Sequence, residues 1–238
     1  MGEANKDIIK RPFYFTTGEA IKNEHIDADE LSMVLEKKKQ NRQIVLDNIE
    51  RIIEAKESVF RTPIHGKSIC FVGHSQLDQW KIGFIKDYQI RNCAVSGITS
   101  FEYNEKIINT GKLNCNSDIF VVMHGTNDLV WNYSISEIVD SIMKTINYIV
   151  SCNSCALIIF LACIHVGNRI DRSNSRIDAL NEALKLNLNG IAFIDMLFLD
   201  DENGCLNPMF SLDGLHINDS AYEIIRASIE KEMEVHGL

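Results

Sequence analysis

The stretch Ser68-Ile69-Cys70-Phe71-Val72-Gly73-His74-Ser75-Gln76-Leu77-Asp78-Gln79-Trp80 decides the fold. Ser68–Val72 is a short run dominated by apolar residues, without the polar alternation of a half-solvated strand, which is the pattern of a strand buried on both faces. A Gly-x-Ser turn follows, and Gln76 to Trp80 can open a helix. The same kind of run recurs downstream at Ile90–Val95, Asp118–Met123, Ala156–Cys163 and Ile191–Ile194. Between these runs lie helix-compatible stretches, among them Ser134–Val150, Ser173–Leu186 and Asp219–Met233. Continuous apolar strands separated by helices predict an α/β fold, three-layer α/β/α and doubly wound, on a mostly parallel five-stranded sheet.

Upstream the period changes. From Asp29 to Phe60 the pattern is helical, with Val45, Ile49, Ile52, Ile53 and Lys56 on one face and Glu50, Arg51 and Glu54 on the other. The first 25 residues read as irregular. Residues 1–60 are thus expected to form an extension and an amphipathic helix, and residues 61–238 the sheet domain. The helix needs a surface to cover its stripe, either the sheet domain or a second copy of the chain, which makes a homo-oligomer one expected arrangement.

Composition excludes several classes. The 238 residues are 45% hydrophobic and 24% charged, with 3 Pro and 13 Gly, which is globular rather than low-complexity. With 24 Lys+Arg against 33 Asp+Glu the net charge is -9, so a nucleic-acid partner is not expected. The basic run Lys37-Lys38-Lys39 with Arg42 reads as a solvated helix face. Ala156 to Ile164 is about half the length of a membrane span, so no membrane partner is expected. Lys6, Asp7, Lys10, Arg11 and Glu19 interrupt the region where a signal peptide would be apolar, which predicts a cytoplasmic protein. The cysteines number seven, an odd count; Cys70, Cys93 and Cys163 fall in strand-like runs as small hydrophobes. Cys152-x-x-Cys155 has no second pair at zinc spacing, so reduced thiols and no metal are expected.

In a parallel sheet, ligands bind beyond the carboxyl ends of the strands. The first strand ends at Gly73-His74-Ser75, where Ser75 is either the cap of the next helix or an exposed hydroxyl whose own N–H can face an oxyanion. The second ends near Gly97, a turn glycine or a close backbone donor. The third ends in His124-Gly125-Thr126-Asn127-Asp128, where Asn127 either caps a helix or donates its amide to a developing negative oxygen. Before the last helix, Asp213 stands three residues ahead of His216, a spacing that lets the carboxylate reach imidazole Nδ1 and leave Nε2 as a base. Each signal is weak alone; the four in order reinforce one another. Arg169 and Arg172 follow the Ala156–Cys163 strand onto the same sheet edge. They either grip a substrate carboxylate or pair with Asp171 as a surface ion pair.

Together Gly73-x-Ser75, Gly97, Gly125-Thr126-Asn127-Asp128 and Asp213-x-x-His216 resemble the four blocks of the SGNH (GDSL-type) hydrolases, over about Lys67 to the end of the chain. The resemblance implies a flavodoxin-like sheet, Ser75 as nucleophile, His216 as base and Asp213 as its orienting carboxylate. It also implies an oxyanion hole of the Ser75 and Gly97 amides and the Asn127 side chain, and no cofactor. His74 departs from the usual Asp. A closer likeness is to the C-terminal esterase domain of bifunctional bacterial CMP-sialic acid synthetases. It runs through Gly73 to Trp80, Gly125 to Asp128, Gly167-x-Arg169-Ile170-Asp171-Arg172-x-Asn174 and Asp213 to His216. Ile26 to Leu31 resembles the acidic end of the synthetase domain, and Lys37 to Arg42 its linker helix. The Gly/Ser/Lys-rich nucleotide motif of synthetases has no counterpart, so cytidylyl transfer is expected to be lost. The resemblance implies a serine O-acetylesterase acting on a small acetylated sugar, sialic acid, in surface-polysaccharide metabolism. The alternatives are a broad acyl esterase or lipase, an O-acetyltransferase on the same residues, and a non-catalytic partner module.

Overall fold

A computed structural model of the chain describes residues 28–131, 133–167, 169 and 172–238, with side chains from residue 40 onward. Several sequence readings lie outside the described residues. These are the irregular N-terminal stretch, Ile26 and Asp27 of the synthetase-like segment, Asp171, and the side chains of Lys37 to Lys39.

Strand β1 (Ser68–Gly73) is buried at every position. It lies between β3 (Tyr88–Asn92) and β4 (Ile119–Met123), parallel to both. Beyond β4 follow β5 (Leu157–Leu161) and β6 (Ala192–Ile194), also parallel. The strand order β2-β3-β1-β4-β5-β6 contains one strand more than the five the sequence announces. The addition is β2 (Phe84–Ile85), which pairs antiparallel with β3 at the sheet edge. Two residues are too few to give a period, and Phe84 is exposed.

Because side chains alternate along a strand, each strand feeds both faces. Cys70, Val72, Phe120, Val122, Ile158 and Phe160 point to one core, shared with α5 (Ile135–Cys152) and α6 (Asn174–Asn187). Ile69, Phe71, Ile119, Val121, Ile159 and Leu161 point to the other, covered by α7 (Asp219–Val235). α3 (Ser75–Asp78) and α4 (Ser100–Tyr103) are short turns at the carboxyl ends of strands. Among the described residues no helix is long and apolar enough to cross a membrane.

The N-terminal helical region is two helices, α1 (Ala28–Ala55) and α2 (Glu57–Arg61). At the break, Lys56 turns inward and pairs with Asp78 while also donating to the Asn92 and Ala94 carbonyls at 3.2 and 2.8 Å. The buried stripe is Arg42, Leu46, Ile49 and Ile53, and the last three join the core on the sheet domain. Arg42 therefore does not belong to a solvated face. It pairs with the buried Glu102 and stacks 4.2 Å over the Trp131 ring, so its charge enters the interior already matched.

Candidate active site

Ser75 stands at the carboxyl end of β1, where the strand order reverses. The helix cap that the sequence offered to Ser75 belongs to His74. Its ring accepts weakly from the Gln76 N–H at 3.4 Å, and its carbonyl accepts from Leu77 and Asp78. The Ser75 hydroxyl instead meets His216 Nε2 at 3.2 Å. His216 Nδ1 lies 2.9 Å from Asp213 Oδ2, and Asp213 Oδ1 accepts the backbone N–H groups of His216 and Leu215 at 2.7 and 3.0 Å. Partial burial pushes the Asp213 carboxyl up, but hydrogen bonds from His216 and Leu215 outweigh it and hold the group down at about 2. It is ionised at neutral pH and fixes the imidazole tautomer with Nε2 facing Ser75.

Gln76 was not singled out from the sequence. Its side chain donates to the Leu215 carbonyl at 2.6 Å and accepts from the Ile217 N–H at 3.4 Å, gripping the residues on either side of His216. Tyr222 in turn donates its hydroxyl to the Gln76 carbonyl at 2.7 Å.

The loop after β3 carries Gly97 at φ +81, a left-handed conformation that favours glycine. A side chain there would meet Val45 of α1, its Cβ 3.2 Å from Cγ1. Ser96 anchors the loop from one side, its N–H and hydroxyl donating to Asp78 at 2.9 and 2.5 Å. Glu102 anchors it from the other, accepting from the Thr99 N–H and hydroxyl at 3.0 and 2.8 Å. Asn127 stands at the N-cap position of the short turn Asp128–Val130, but its side chain makes no capping bond; its Nδ2 donates to the Ile98 carbonyl of this loop at 3.0 Å. The neighbouring Asp128 accepts the Ser100 N–H and hydroxyl at 3.0 and 2.5 Å. Its complete burial pushes its carboxyl up to about 6 against those hydrogen bonds.

Of the two arginines, Arg169 is half-buried beside Gly214 of the His216 loop. Arg172 is only 8% exposed and does not offer the open, substrate-facing guanidinium the sequence suggested. Its Nε donates to the Thr126 carbonyl at 3.0 Å and its Nη2 to Asn127 Oδ1 at 3.1 Å.

Under the site, His74 and His124 end the adjacent strands β1 and β4, both fully enclosed. Burial pushes His124 down to about 3. Burial first, then repulsion from His124, Arg172 and His216, pushes His74 well below its usual value. Each is neutral in the fold, while the unfolded chain protonates them below about pH 6.5. Their stability contribution is complete above that pH and is lost as pH falls toward the folded value. Asp128 works in the opposite sense, because the fold binds its proton more readily than the unfolded chain does. Replacing His124→Phe removes one of these two buried histidines and leaves Asp128 in place. The difference in unfolding free energy between pH 7 and pH 4 is expected to shrink by about 3 kcal/mol in this variant. An unchanged difference, measured by urea titration, would exclude a neutral His124 in the fold.

A serine at the head of a central parallel strand, facing a histidine and an aspartate delivered by the loop before the last helix, is the arrangement of a serine hydrolase. The chain belongs to the GDSL-like lipase/acylhydrolase family, whose family model matches residues 74–224. It is 32% identical over 203 residues to the N-acylneuraminate cytidylyltransferase of Escherichia coli O18:K1:H7 (strain RS218 / NMEC), a match that takes in 84% of this chain and 48% of that protein. The chain thus spans about half the length of that relative. It is similar in fold to a protein of Streptococcus pneumoniae described as a candidate platelet activating factor, with TM-score 0.72 and 19% identity over 84% of this chain and 98% of that one. It is also similar to a GDSL-like lipase from Bacteroides thetaiotaomicron VPI-5482, with TM-score 0.63 and 22% identity over 79% of this chain and 98% of that one.

Proposed function

We propose that this chain removes O-acetyl groups from sialic acid through a serine acyl-enzyme, as part of bacterial surface-polysaccharide metabolism. The observation that carries the mechanism is the relay Ser75–His216–Asp213, with contacts of 3.2 and 2.9 Å. The Ser75 oxygen attacks the acetyl carbonyl carbon as its proton passes to His216 Nε2, and Asp213 stabilises the imidazolium. The carbonyl oxygen, now negative, is received by the Ser75 and Gly97 amides and by the Asn127 side chain. Collapse breaks the bond to the sugar oxygen, which takes the proton from His216 and leaves as the sugar hydroxyl. Water then repeats the sequence on the acyl-serine, releasing acetate and restoring the hydroxyl.

Support for the sugar comes from the likeness over 203 residues to an enzyme named for N-acylneuraminate. Sialic acids carry a carboxylate, and we assign Arg169, at the rim beside Gly214, to hold it. The test compares acetate release from O-acetylated sialic acid with hydrolysis of 4-nitrophenyl acetate. A kcat/KM higher for the sugar is expected. Arg169→Ala should raise KM for the sugar about tenfold, the effect of losing one charged hydrogen-bonding contact, and leave the neutral aryl ester unchanged. Hydrolysis of the aryl ester alone would overturn the sugar assignment and leave a general acyl esterase.

A further inference from the structure

We propose that Arg172 is a positioning residue that aims and polarises the Asn127 amide, making the oxyanion hole depend on the loop after β5. This rests on the oxyanion role proposed for Asn127. An amide can face either way, and its neighbours decide which. Arg172 can only donate, so the atom it meets at 3.1 Å must be Oδ1. The Ile98 carbonyl can only accept, so the atom it meets at 3.0 Å must be Nδ2. The two contacts hold the amide in one orientation, with one N–H engaged by Ile98 and the second left for a ligand. The guanidinium on Oδ1 also draws electron density toward the carbonyl and makes that second N–H a stronger donor.

Described residues on either side of Arg172 are tied down. Gly167 donates its N–H to the Gly214 carbonyl at 2.8 Å, two residues before His216. Asn174 accepts from the Val166 N–H at 2.8 Å and donates to the Val166 carbonyl at 3.0 Å, closing the loop at its base. Gly167 therefore touches the histidine loop and Arg172, five positions on, the Asn127 side chain. A guanidinium is needed because Nε and Nη2 serve two acceptors, Thr126 O and Asn127 Oδ1, from one rigid plane. A lysine ammonium keeps the charge and loses the fork.

The test is a double-mutant cycle on 4-nitrophenyl acetate, a substrate without a carboxylate, in which kcat and KM are separated. Asn127→Ala is expected to lower kcat about 10²-fold, as for loss of one oxyanion donor. Arg172→Lys is expected to lower kcat about tenfold with KM within about twofold, and to have almost no further effect once Asn127 is alanine. Because Arg172 is buried, Arg172→Gln is run in parallel, and melting temperatures identify the folded variants. A tenfold loss that persists in the Asn127→Ala background would overturn the proposal, as would a change confined to KM or a wild-type kcat in folded Arg172→Lys. A wild-type kcat in Asn127→Ala would instead remove the oxyanion role of Asn127 itself, which is a separate failure.

Discussion

Ser75→Ala is expected to lower kcat for ester hydrolysis by about 10⁴-fold or more while the protein folds as before. The hydroxyl makes one contact, with His216, and caps no helix, since His74 holds that position. Its loss should cost about 1 kcal/mol of stability, a melting shift of about 2–4 °C. The measurement is steady-state hydrolysis of 4-nitrophenyl acetate beside a thermal melt. Residual activity within about tenfold of wild type would mean that another group attacks the ester and would overturn the acyl-serine mechanism.

Gly73→Ala should act in the opposite way, damaging the fold before the chemistry. A Cβ at this position would lie 2.2 Å from the Met123 carbonyl oxygen of the neighbouring strand. Backbone, unlike a flexible side chain, cannot swing aside, and Gly73 and Met123 are register partners in the β1–β4 pair. The two central strands would have to separate at the point where Ser75 is held. A destabilisation of about 3–5 kcal/mol is expected, or roughly 10 °C in melting temperature, with a sharp loss of soluble protein. A variant that melts within 2 °C of wild type, as about 1 kcal/mol would allow, would show that the strands can yield there.

Gly73 also marks where sequence reading worked and where it stopped. That a glycine must precede the serine was legible, because a Gly-x-Ser turn after an apolar run signals tight backbone geometry. The relay was legible for the same reason: Asp213 and His216 are near neighbours whose spacing alone brings carboxylate to imidazole. The place of Asn127, just past the carboxyl end of β4, was legible from the apolar run that precedes it. What stayed hidden depended on partners remote in the chain. Arg42 looked like part of a basic run because Glu102 and Trp131 lie some way downstream. Gln76 gave no signal, since its partners Leu215 and Ile217 belong to the other end of the domain. Arg172 stands in the sequence between a substrate grip and a surface ion pair, because periodicity does not reveal that a loop residue turns into the interior. The edge strand β2 escaped notice because two residues carry no alternation.

The grip of Gln76 on both neighbours of His216 has a consequence for shortened versions of the chain. Gln76, beside Ser75, lies 139 and 141 positions from its partners Leu215 and Ile217. The central strands alone place Ser75 but not His216, so the Ser75–His216 contact depends on this long-range grip. Under the proposed mechanism, hydrolysis needs residues 213–217 in place beside Ser75. A truncated product ending before Asp213 would lack both Asp213 and His216 and, under the proposed mechanism, is expected to hydrolyse no ester.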